Sequence, residues 1–363
     1  MRELFDATVE RLFADLVTAD TVLACEGSDW PATLWTALAE SGFPLALAPE
    51  AQGGAGASWS DVCGALRLCG RYNLPLPLAE TMLANWLLGR CGLDAATDAV
   101  SIVATGSLQL ADGVVSGVAR DVPWGRQVTQ VLGIIAGASP TRVLLPVASA
   151  VLAPSTNTAA EPRDTLTFMA VTPLAMAALP AGFSADDLKL GGAMLRSAQI
   201  AGALEGVLAM STAYAADRVQ FGKPIGSFQA IQHQVAVLAE HAAAAVMAVE
   251  AAFAQTESHL PRLQVMAAKI CASEAAGIAA GVAHAVHGAI GFTHEYPLHL
   301  TTRRLWAWRS EYGSATDWSQ QLGRAVCAGG AQAFWPGIVS GHFMALDSAR
   351  DNKPENDLEA STS

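Results

Sequence analysis

The sequence predicts a mostly helical protein with a small β-domain in its middle. Apolar residues recur at intervals of three and four over residues 1–98 and again over residues 181–347, which is the spacing of amphipathic helices. Over residues 99–180 the pattern changes to short β-branched runs separated by turn residues, which is typical of strands. We therefore expect an N-terminal helical domain, a middle antiparallel β-domain and a C-terminal four-helix bundle.

The N-terminal segment has helical periodicity from Glu3 to about Cys91. Its first apolar face combines Leu4, Phe5, Val9, Leu12, Phe13 and Leu16. Ser58, with Asp61 three residues later, is a helix-start signal. The glycine-rich stretch before it, residues 49–58, is not a dinucleotide-binding fingerprint, because no strong strand precedes it and the glycine spacing differs.

Short strand-like runs fill the middle segment. They are residues 101–104, 114–119, 130–136, 141–146 and 166–171. The dipeptide Asp112-Gly113 lies between the first two runs and is a strong hairpin signal. It predicts that those two runs pair with each other.

Glycine and proline define the helices of the C-terminal segment. One helix is predicted from about Leu195 to Phe221-Gly222, where the glycine ends it and Pro224 prevents its continuation. The next is predicted to begin near Ser227, which can cap it, and to reach about Gln255.

The chain is predicted to close with a further helix and a polar tail. Pro261 is a favourable first position for a helix that runs towards about Gly288. Residues 348–363 are polar, and we expect them to be disordered.

Composition excludes several classes of partner. The 363 residues are 52% hydrophobic and 15% charged, which allows a large core and extensive subunit interfaces. The net charge of −12 argues against nucleic acid. The 6 cysteines form no CxxC pair and no signal peptide is present, so reduced thiols and a cytoplasmic location are expected. No long uninterrupted apolar run predicts a membrane span.

The most specific segment is residues 217–233, between two predicted helices. Arg218 and Phe221 place a cation and an aromatic ring near the end of the first helix. Gln229, Gln232 and His233 lie on the first turns of the second. A cation, a ring and amide donors at a helix N-terminus suit a diphosphate joined to flat rings. The alternative is a salt-bridged helical hairpin with no ligand.

This segment is very similar to a signature of the acyl-CoA dehydrogenase family. The resemblance implies the family fold and FAD-dependent α,β-dehydrogenation of an acyl-CoA thioester. In the family this turn holds the FAD diphosphate and adenosine of a neighbouring subunit. The resemblance therefore implies that FAD is bound by Arg218, Phe221, Gly222, Gln229 and Gln232.

A second segment, residues 285–297, resembles the family's glycine-rich cofactor segment. There small residues let the backbone approach the FAD, which implies cofactor contacts at His287, Gly288 and Ala289. The family glutamine is Ala285 here, so the side-chain amide expected at that position is missing, and a family glycine has become Ala289.

Histidines in the same region suggest a metal site as an alternative. His284 and His287 could share a helical face, with His294 or His299 nearby. No Asp, Glu or Cys completes a recognised ligand spacing, so no metal is expected.

The family's catalytic base is a glutamate, which removes the α-proton while the flavin takes the β-hydride. Counting without a gap places Tyr312 at that position and Glu311 one residue early, which on a helix is a turn of about 100°. Some members carry the base on the helix before the turn that contains Arg218, Phe221 and Gly222, at a position near Gly192 here. Glu205, the nearest acid on that helix, is about three helical turns away. Glu311 is the candidate catalytic residue, although Tyr312 occupies the usual base position.

The departures fall on one side of the cofactor. The family segment that reaches the flavin ring is replaced by residues 103–108, and the family threonine by Ser314. Residues that grip a neighbour's FAD are kept, among them Arg218 and Phe221. Some dehydrogenases of steroid and other bulky-acid catabolism resemble this, with two unlike subunits and half the usual number of flavins.

The sequence is therefore interpreted as the base-poor subunit of an α2β2 heterotetramer that acts on a bulky, steroid-like acyl-CoA in lipid or steroid degradation. By resemblance, an electron-transfer flavoprotein would accept the electrons. Two alternatives stay open at this point. One is a homo-oligomeric dehydrogenase with Glu311 as base, and the other is a non-catalytic FAD-binding or structural paralogue.

Overall fold

A computed structural model describes residues 1–26, 29–137, 139–254, 256 and 259–341. The predicted disordered tail at residues 348–363 lies outside the described residues.

Helices form the N-terminal part of the chain, as predicted. They are α1 (Arg2–Leu16), α2 (Ala19–Glu26), α3 (Ala32–Glu40), α4 (Trp59–Arg71) and α5 (Leu78–Arg90). Val9 and Phe13 of the predicted apolar face of α1 are fully buried. Ser58 and Asp61 form the expected capping box at the start of α4, each side chain bonding the other's backbone amide.

Within the described residues the middle part folds into two four-stranded sheets. The strands are β1 (Val100–Val103), β2 (Thr105–Ala111), β3 (Val114–Pro123), β4 (Gln130–Ile135), β5 (Thr141–Pro146), β6 (Ala150–Ala153), β7 (Arg163–Val171) and β8 (Ala175–Ala178). One sheet has the order β1-β4-β5-β8 and the other β2-β3-β7-β6. Apolar residues of both sheets share one core between them.

Two details of the predicted sheet are wrong. Asp112 and Gly113 do form a tight turn, with φ of 50° and 79°, which is typical of a type I′ hairpin. First, this turn pairs β3 with β2 in the second sheet, and not with β1. Second, the domain is not wholly antiparallel, because β4 runs parallel to β1 in the first sheet.

The C-terminal part returns to helices after β8. The elements are α6 (Asp187–Asp217), β9 (Val219–Gln220), β10 (Lys223–Pro224), α7 (Gln229–Ala254), α8 (Arg262–His287), α9 (Leu298–Trp308), α10 (Ala315–Gly329) and α11 (Ala331–Ser340). Helices α6, α7 and α8 pack on one another, and α10 packs on α8. Helix α8 follows Pro261 directly, as predicted.

The helix ends around the signature differ from the prediction. Helix α6 ends at Asp217, because Arg218 is extended and the next residues pair as β9 and β10. Ser227 does not cap α7. It lies in a 3-10 turn, and its hydroxyl donates a 2.7 Å hydrogen bond to the Pro224 carbonyl.

Two apolar stretches have the length of a membrane span. They are Gln229–Ala254 and Arg262–Phe292, and both are apolar enough by composition to cross a bilayer. Core helices of a bundle meet the same criterion, and α7 and α8 pack along each other here.

Glycines bring α4 and α6 into backbone contact. A side-chain carbon on Gly202 would lie 1.8 Å from the Arg67 carbonyl oxygen, and one on Gly70 would lie 1.7 Å from that of Gln199. At these two positions any residue larger than glycine would clash with the backbone of the other helix. The close crossing of α4 and α6 packs the N-terminal part against the C-terminal part.

Gly202→Ala is expected to lower the free energy of unfolding by about 1–3 kcal/mol, because the methyl group forces α4 and α6 apart in a packed core. Urea denaturation measures the change. Gly281→Ala on α8 is the matched control, since nothing lies within 4 Å of the added carbon. It should stabilise by about 0.5–1 kcal/mol. Equal effects of the two substitutions would contradict the close crossing.

Candidate cofactor and substrate site

The predicted cofactor grip is an exposed β-hairpin between α6 and α7. Phe221 and Gly222 form its tip, with φ of 54° and 80°. The Phe221 ring is 91% exposed and meets the Phe228 ring edge-on at 6.1 Å. Lys223 Nζ lies 4.5 Å from the centre of the Phe228 ring. The hairpin thus leaves the Phe221 ring exposed at its tip, and Arg218 is also exposed, just before β9.

The start of α7 lies directly behind this hairpin. Gln229, Gln232 and His233 are exposed on its first turns. The Gln232 side-chain amide donates to the Gly226 carbonyl at 3.0 Å, which fixes its direction. The structure therefore brings the predicted cation, ring and amide groups to one exposed surface, which we call the hairpin surface (Arg218–His233).

The second predicted cofactor segment divides into an exposed and a buried part. Gly288 and Ala289 are exposed just after α8, and Gly288 has a φ of 62°. His287 is buried, with its ring stacked on Tyr214 at 4.6 Å. Its Nδ1 donates a hydrogen bond to the Ala283 carbonyl at 2.8 Å. In the neutral ring Nε2 therefore accepts a second hydrogen bond, from the Tyr296 hydroxyl at 3.2 Å.

The expected contact of His287 with the cofactor does not fit this burial. Both ring nitrogens are engaged inside the protein, and burial lowers the pKa of the ring and keeps it neutral. The His287 ring packs between Tyr214 and Tyr296 inside the protein instead.

The neighbouring histidines also make internal hydrogen bonds. His284 Nε2 lies 2.9 Å from the Thr302 hydroxyl, and His299 Nδ1 lies 2.9 Å from the Tyr296 carbonyl. Over the residues that the structure describes, no group of three or more His, Cys, Asp or Glu side chains could hold a metal ion.

A cleft of about 650 Å³ separates the sheets from the C-terminal helices. Thr105 and Arg120 line it from β2 and β3, and residues 155–158 line it from the loop before β7. The opposite wall is the turn after α9, which we call the cleft turn (Ser310–Gly313) and which carries Glu311 and Tyr312.

Glu311 is fixed by donors on two sides. Arg163 donates to both carboxylate oxygens at 2.9 and 3.1 Å, Arg196 at 2.6 Å and Asn157 at 2.9 Å. Burial alone would raise the pKa of this carboxyl, but Arg163 and Arg196 outweigh burial and hold it well below its usual range. Since a general base works best with a pKa near the working pH, Glu311 in this geometry is an ion-pair partner and a poor proton acceptor.

Tyr312 fills the usual base position with an uncharged ring. It packs on Gly192, where an added side-chain carbon would lie 2.4 Å from the ring. Burial raises the pKa of the Tyr312 phenol, and among the described residues its oxygen has no hydrogen-bond partner. The two positions at which the resemblance places a base thus touch each other, and neither carries a carboxylate. Glu205 faces α4, 2.6 Å from Arg67.

The Glu311 contacts belong to a larger buried ion network, which sequence analysis missed. Arg196 also donates to Glu80 at 2.7 Å, and both side chains are fully buried. Arg163 pairs with Glu161 at 2.9 Å, and Arg304 lies 3.2 Å from the same carboxylate. The sequence signal that could have indicated this network is a charged residue inside an apolar helical run, as at Glu80 and Arg196.

Ser314, at the family threonine position, has a structural role. Its hydroxyl and the Asp317 carboxylate form a capping box at the start of α10. The serine therefore ends the cleft turn by starting the next helix.

Comparison with known proteins gives consistent similarities. Residues 190–314 match the family model for the acyl-CoA dehydrogenase C-terminal domain. The chain is 31% identical over 321 residues to the acyl-CoA dehydrogenase IpdE2 of Mycobacterium tuberculosis, covering 84% of this chain and 90% of that one. It is 31% identical over 316 residues to the acyl-CoA dehydrogenase FadE34 of the same organism, covering 82% of this chain and 42% of that one.

Solved structures confirm the predicted architecture. A chain of the ChsE4-ChsE5 complex from Mycobacterium tuberculosis superposes with a TM-score of 0.82 at 19% identity, over 91% of this chain and 98% of that one. A variant of the Tcur3481-Tcur3483 steroid ACAD gives 0.79 at 24% identity, over 89% and 96%. At these identities the likeness shows the fold.

Proposed function

Because the chain belongs to the acyl-CoA dehydrogenase family, we propose that it is the base-poor subunit of a heteromeric dehydrogenase and completes the flavin site of a homologous partner. One observation carries the proposal. In the chain's own cleft Glu311 is clamped by two arginines, Tyr312 is an uncharged phenol and Gly192 has no side chain. The hairpin surface, in contrast, keeps its cation and its exposed ring.

The residues of the hairpin surface fit one end of an FAD molecule. Arg218 supplies a guanidinium for a diphosphate, Phe221 a flat face for a ring, and the N-terminus of α7 a partial positive charge. A phenyl ring that is 91% exposed is covered favourably by such a ring system. When bound, FAD accepts the hydride that leaves the acyl β-carbon.

The proton that leaves the adjacent α-carbon needs a carboxylate whose pKa permits it to accept that proton. In the proposed assembly the partner supplies this carboxylate. This chain binds the remote end of the cofactor and orients it, so its residues act on the reaction through cofactor position.

The names of relatives support the subunit arrangement and the substrate class. ChsE4-ChsE5 is described as a complex, and Tcur3481-Tcur3483 as a steroid ACAD. We extend both descriptions to this chain and propose an α2β2 assembly that oxidises a bulky, steroid-like acyl-CoA. We further propose an electron-transfer flavoprotein as acceptor and a cytoplasmic location, where the six free cysteines would stay reduced.

The test is co-expression with a homologous partner chain, with this chain alone as control. The chain alone should be colourless and inactive, and the complex should be yellow, with half as many flavins as subunits. Flavin absorbance and the oxidation of steroid-like and short acyl-CoAs measure both. Yellow, active protein without a partner, inactivated by Glu311→Gln, would favour the homo-oligomer. A complex without turnover on any acyl-CoA would favour the non-catalytic paralogue.

A further inference from the structure

Lys269 is a fully buried cation on α8 that the proposed function does not use. Its Nζ donates to the carbonyl oxygens of Trp308 at 2.8 Å and Arg309 at 3.1 Å, and to the Ser273 hydroxyl at 3.1 Å. These bonds use all three donors of an ammonium group, and all three acceptors are neutral. Burying a charge that is bonded by neutral oxygens costs folding free energy. We therefore asked what these three hydrogen bonds stabilise.

The two carbonyls that Lys269 binds lie where α9 ends. The last carbonyls of a helix have no partner within the helix and carry a partial negative charge. The cleft turn follows directly. Within it Tyr312 and Gly313 both have positive φ, of 56° and 101°, and the Tyr312 carbonyl accepts a 3.1 Å hydrogen bond from the Trp318 ring. The turn is therefore held by Trp318 on one side and by Lys269 on the other.

We propose that Lys269 is a positioning residue that closes the C-terminus of α9 and thereby fixes the cleft turn. Through the cleft turn it sets where Glu311 meets its arginines and where Tyr312 meets Gly192. The proposal concerns local geometry, so it holds or fails independently of flavin binding and of the subunit arrangement.

The hold depends on the charge of the amine. Burial lowers the pKa of Lys269 to about 7, with Glu311 acting to raise it and Arg196 and Arg309 to lower it further. A neutral amine has one donor fewer than an ammonium group. When the end of α9 opens while the amine stays buried, the ammonium loses its carbonyl acceptors and the pKa of Lys269 falls further, so the closed end binds more protons and loosens as the pH rises through about 7. In the unfolded chain the lysine titrates near 10.4.

The same titration acts on global stability with the opposite sign. Between about pH 7 and 10 the folded protein binds fewer protons at this site than the unfolded chain. The unfolding free energy therefore rises with pH relative to a variant that lacks the amine.

Hydrogen exchange at the end of α9 tests the proposal. The amides of Arg309 and Ser310 bond to the carbonyls of Leu305 and Ala307 at 3.2 and 3.3 Å, so their protection reports the closure. In Lys269→Met these amides should exchange about tenfold faster at pH 6, the effect of losing a hydrogen bond to a charged group. Glu274→Gln, which removes an exposed charge from the same helix, should match the native protein.

The pH profile separates positioning from mere packing. After correction for the intrinsic exchange rate, native protection at Arg309 and Ser310 should fall between about pH 6 and 8.5, while Lys269→Met should stay flat. Native protection in Lys269→Met, or the same pH profile in both proteins, would overturn the proposal. If Lys269→Met does not fold, the native profile decides, and a native protein without this pH dependence overturns it.

Discussion

Replacing Arg218 by alanine is expected to remove most of the flavin from the co-expressed assembly while the subunits stay associated. Arg218 lies on the exposed hairpin, outside the core of either part of the chain, so its loss should leave the fold unchanged. A hydrogen bond to a charged group contributes about 1.5–3 kcal/mol. FAD affinity should therefore fall about 10- to 100-fold for each hydrogen bond that the guanidinium makes to the diphosphate.

The measurement is the flavin-to-protein ratio of the purified complex, followed by titration with added FAD. Arg90→Ala is the matched control, because Arg90 is an exposed arginine at the end of α5. Arg218→Lys should give an intermediate affinity, since the ammonium keeps the charge but lacks the planar fork. An Arg218→Ala complex with full flavin content and native affinity would remove the basis of the proposed function.

The hairpin surface shows what the sequence could predict and what it could not. The spacing of Arg218, Phe221 and Gln229 singled out residues that are all exposed on or just after one hairpin. The backbone that carries them was predicted as a helix end, because a phenylalanine with positive φ is uncommon and no sequence signal marks it. Side-chain chemistry was thus more predictable than the local conformation.

The strands were predictable where turn residues bounded them. The run that became β5, Thr141–Pro146, follows a proline and ends on one, and its predicted bounds were correct. The parallel pairing of β1 with β4 was not predictable, because it depends on which sheet the hairpin at Asp112 joins. That choice is made by packing between the sheets, which no local pattern records.

The environment of Glu311 was beyond sequence reasoning for a related cause. Its partners Asn157, Arg163 and Arg196 lie more than one hundred residues away in the chain. Counting along a motif placed Glu311 one position from the family base. Only the fold shows that two arginines already balance the charge of its carboxylate. A residue's position relative to a motif therefore does not establish its protonation chemistry.

Replacing Arg196 by methionine is expected to lower the free energy of unfolding by about 3–5 kcal/mol, because it removes the cation that pairs with the buried Glu80 carboxylate and one of the two arginines that pair with Glu311. Arg196 is fully buried and donates to Glu80 at 2.7 Å and Glu311 at 2.6 Å. Urea denaturation measures the loss. Adding Glu80→Gln should restore part of the lost unfolding free energy, since that change removes the buried carboxylate that Arg196 paired with. Arg71→Met, which breaks an exposed pair with Glu10 at 4.0 Å, is the control and should cost less than about 1 kcal/mol.

The pH dependence of this loss has a definite sign. Arg163 and Arg196 hold the pKa of Glu311 below its usual range in the folded protein. The ion pairs therefore contribute stability above the unfolded value of about 4.3, and that contribution is lost as the pH falls below it. The difference between native protein and Arg196→Met should shrink steadily between about pH 5 and 3. A difference that stays constant over this range would mean that Arg196 stabilises the fold by packing alone and does not lower the pKa of Glu311.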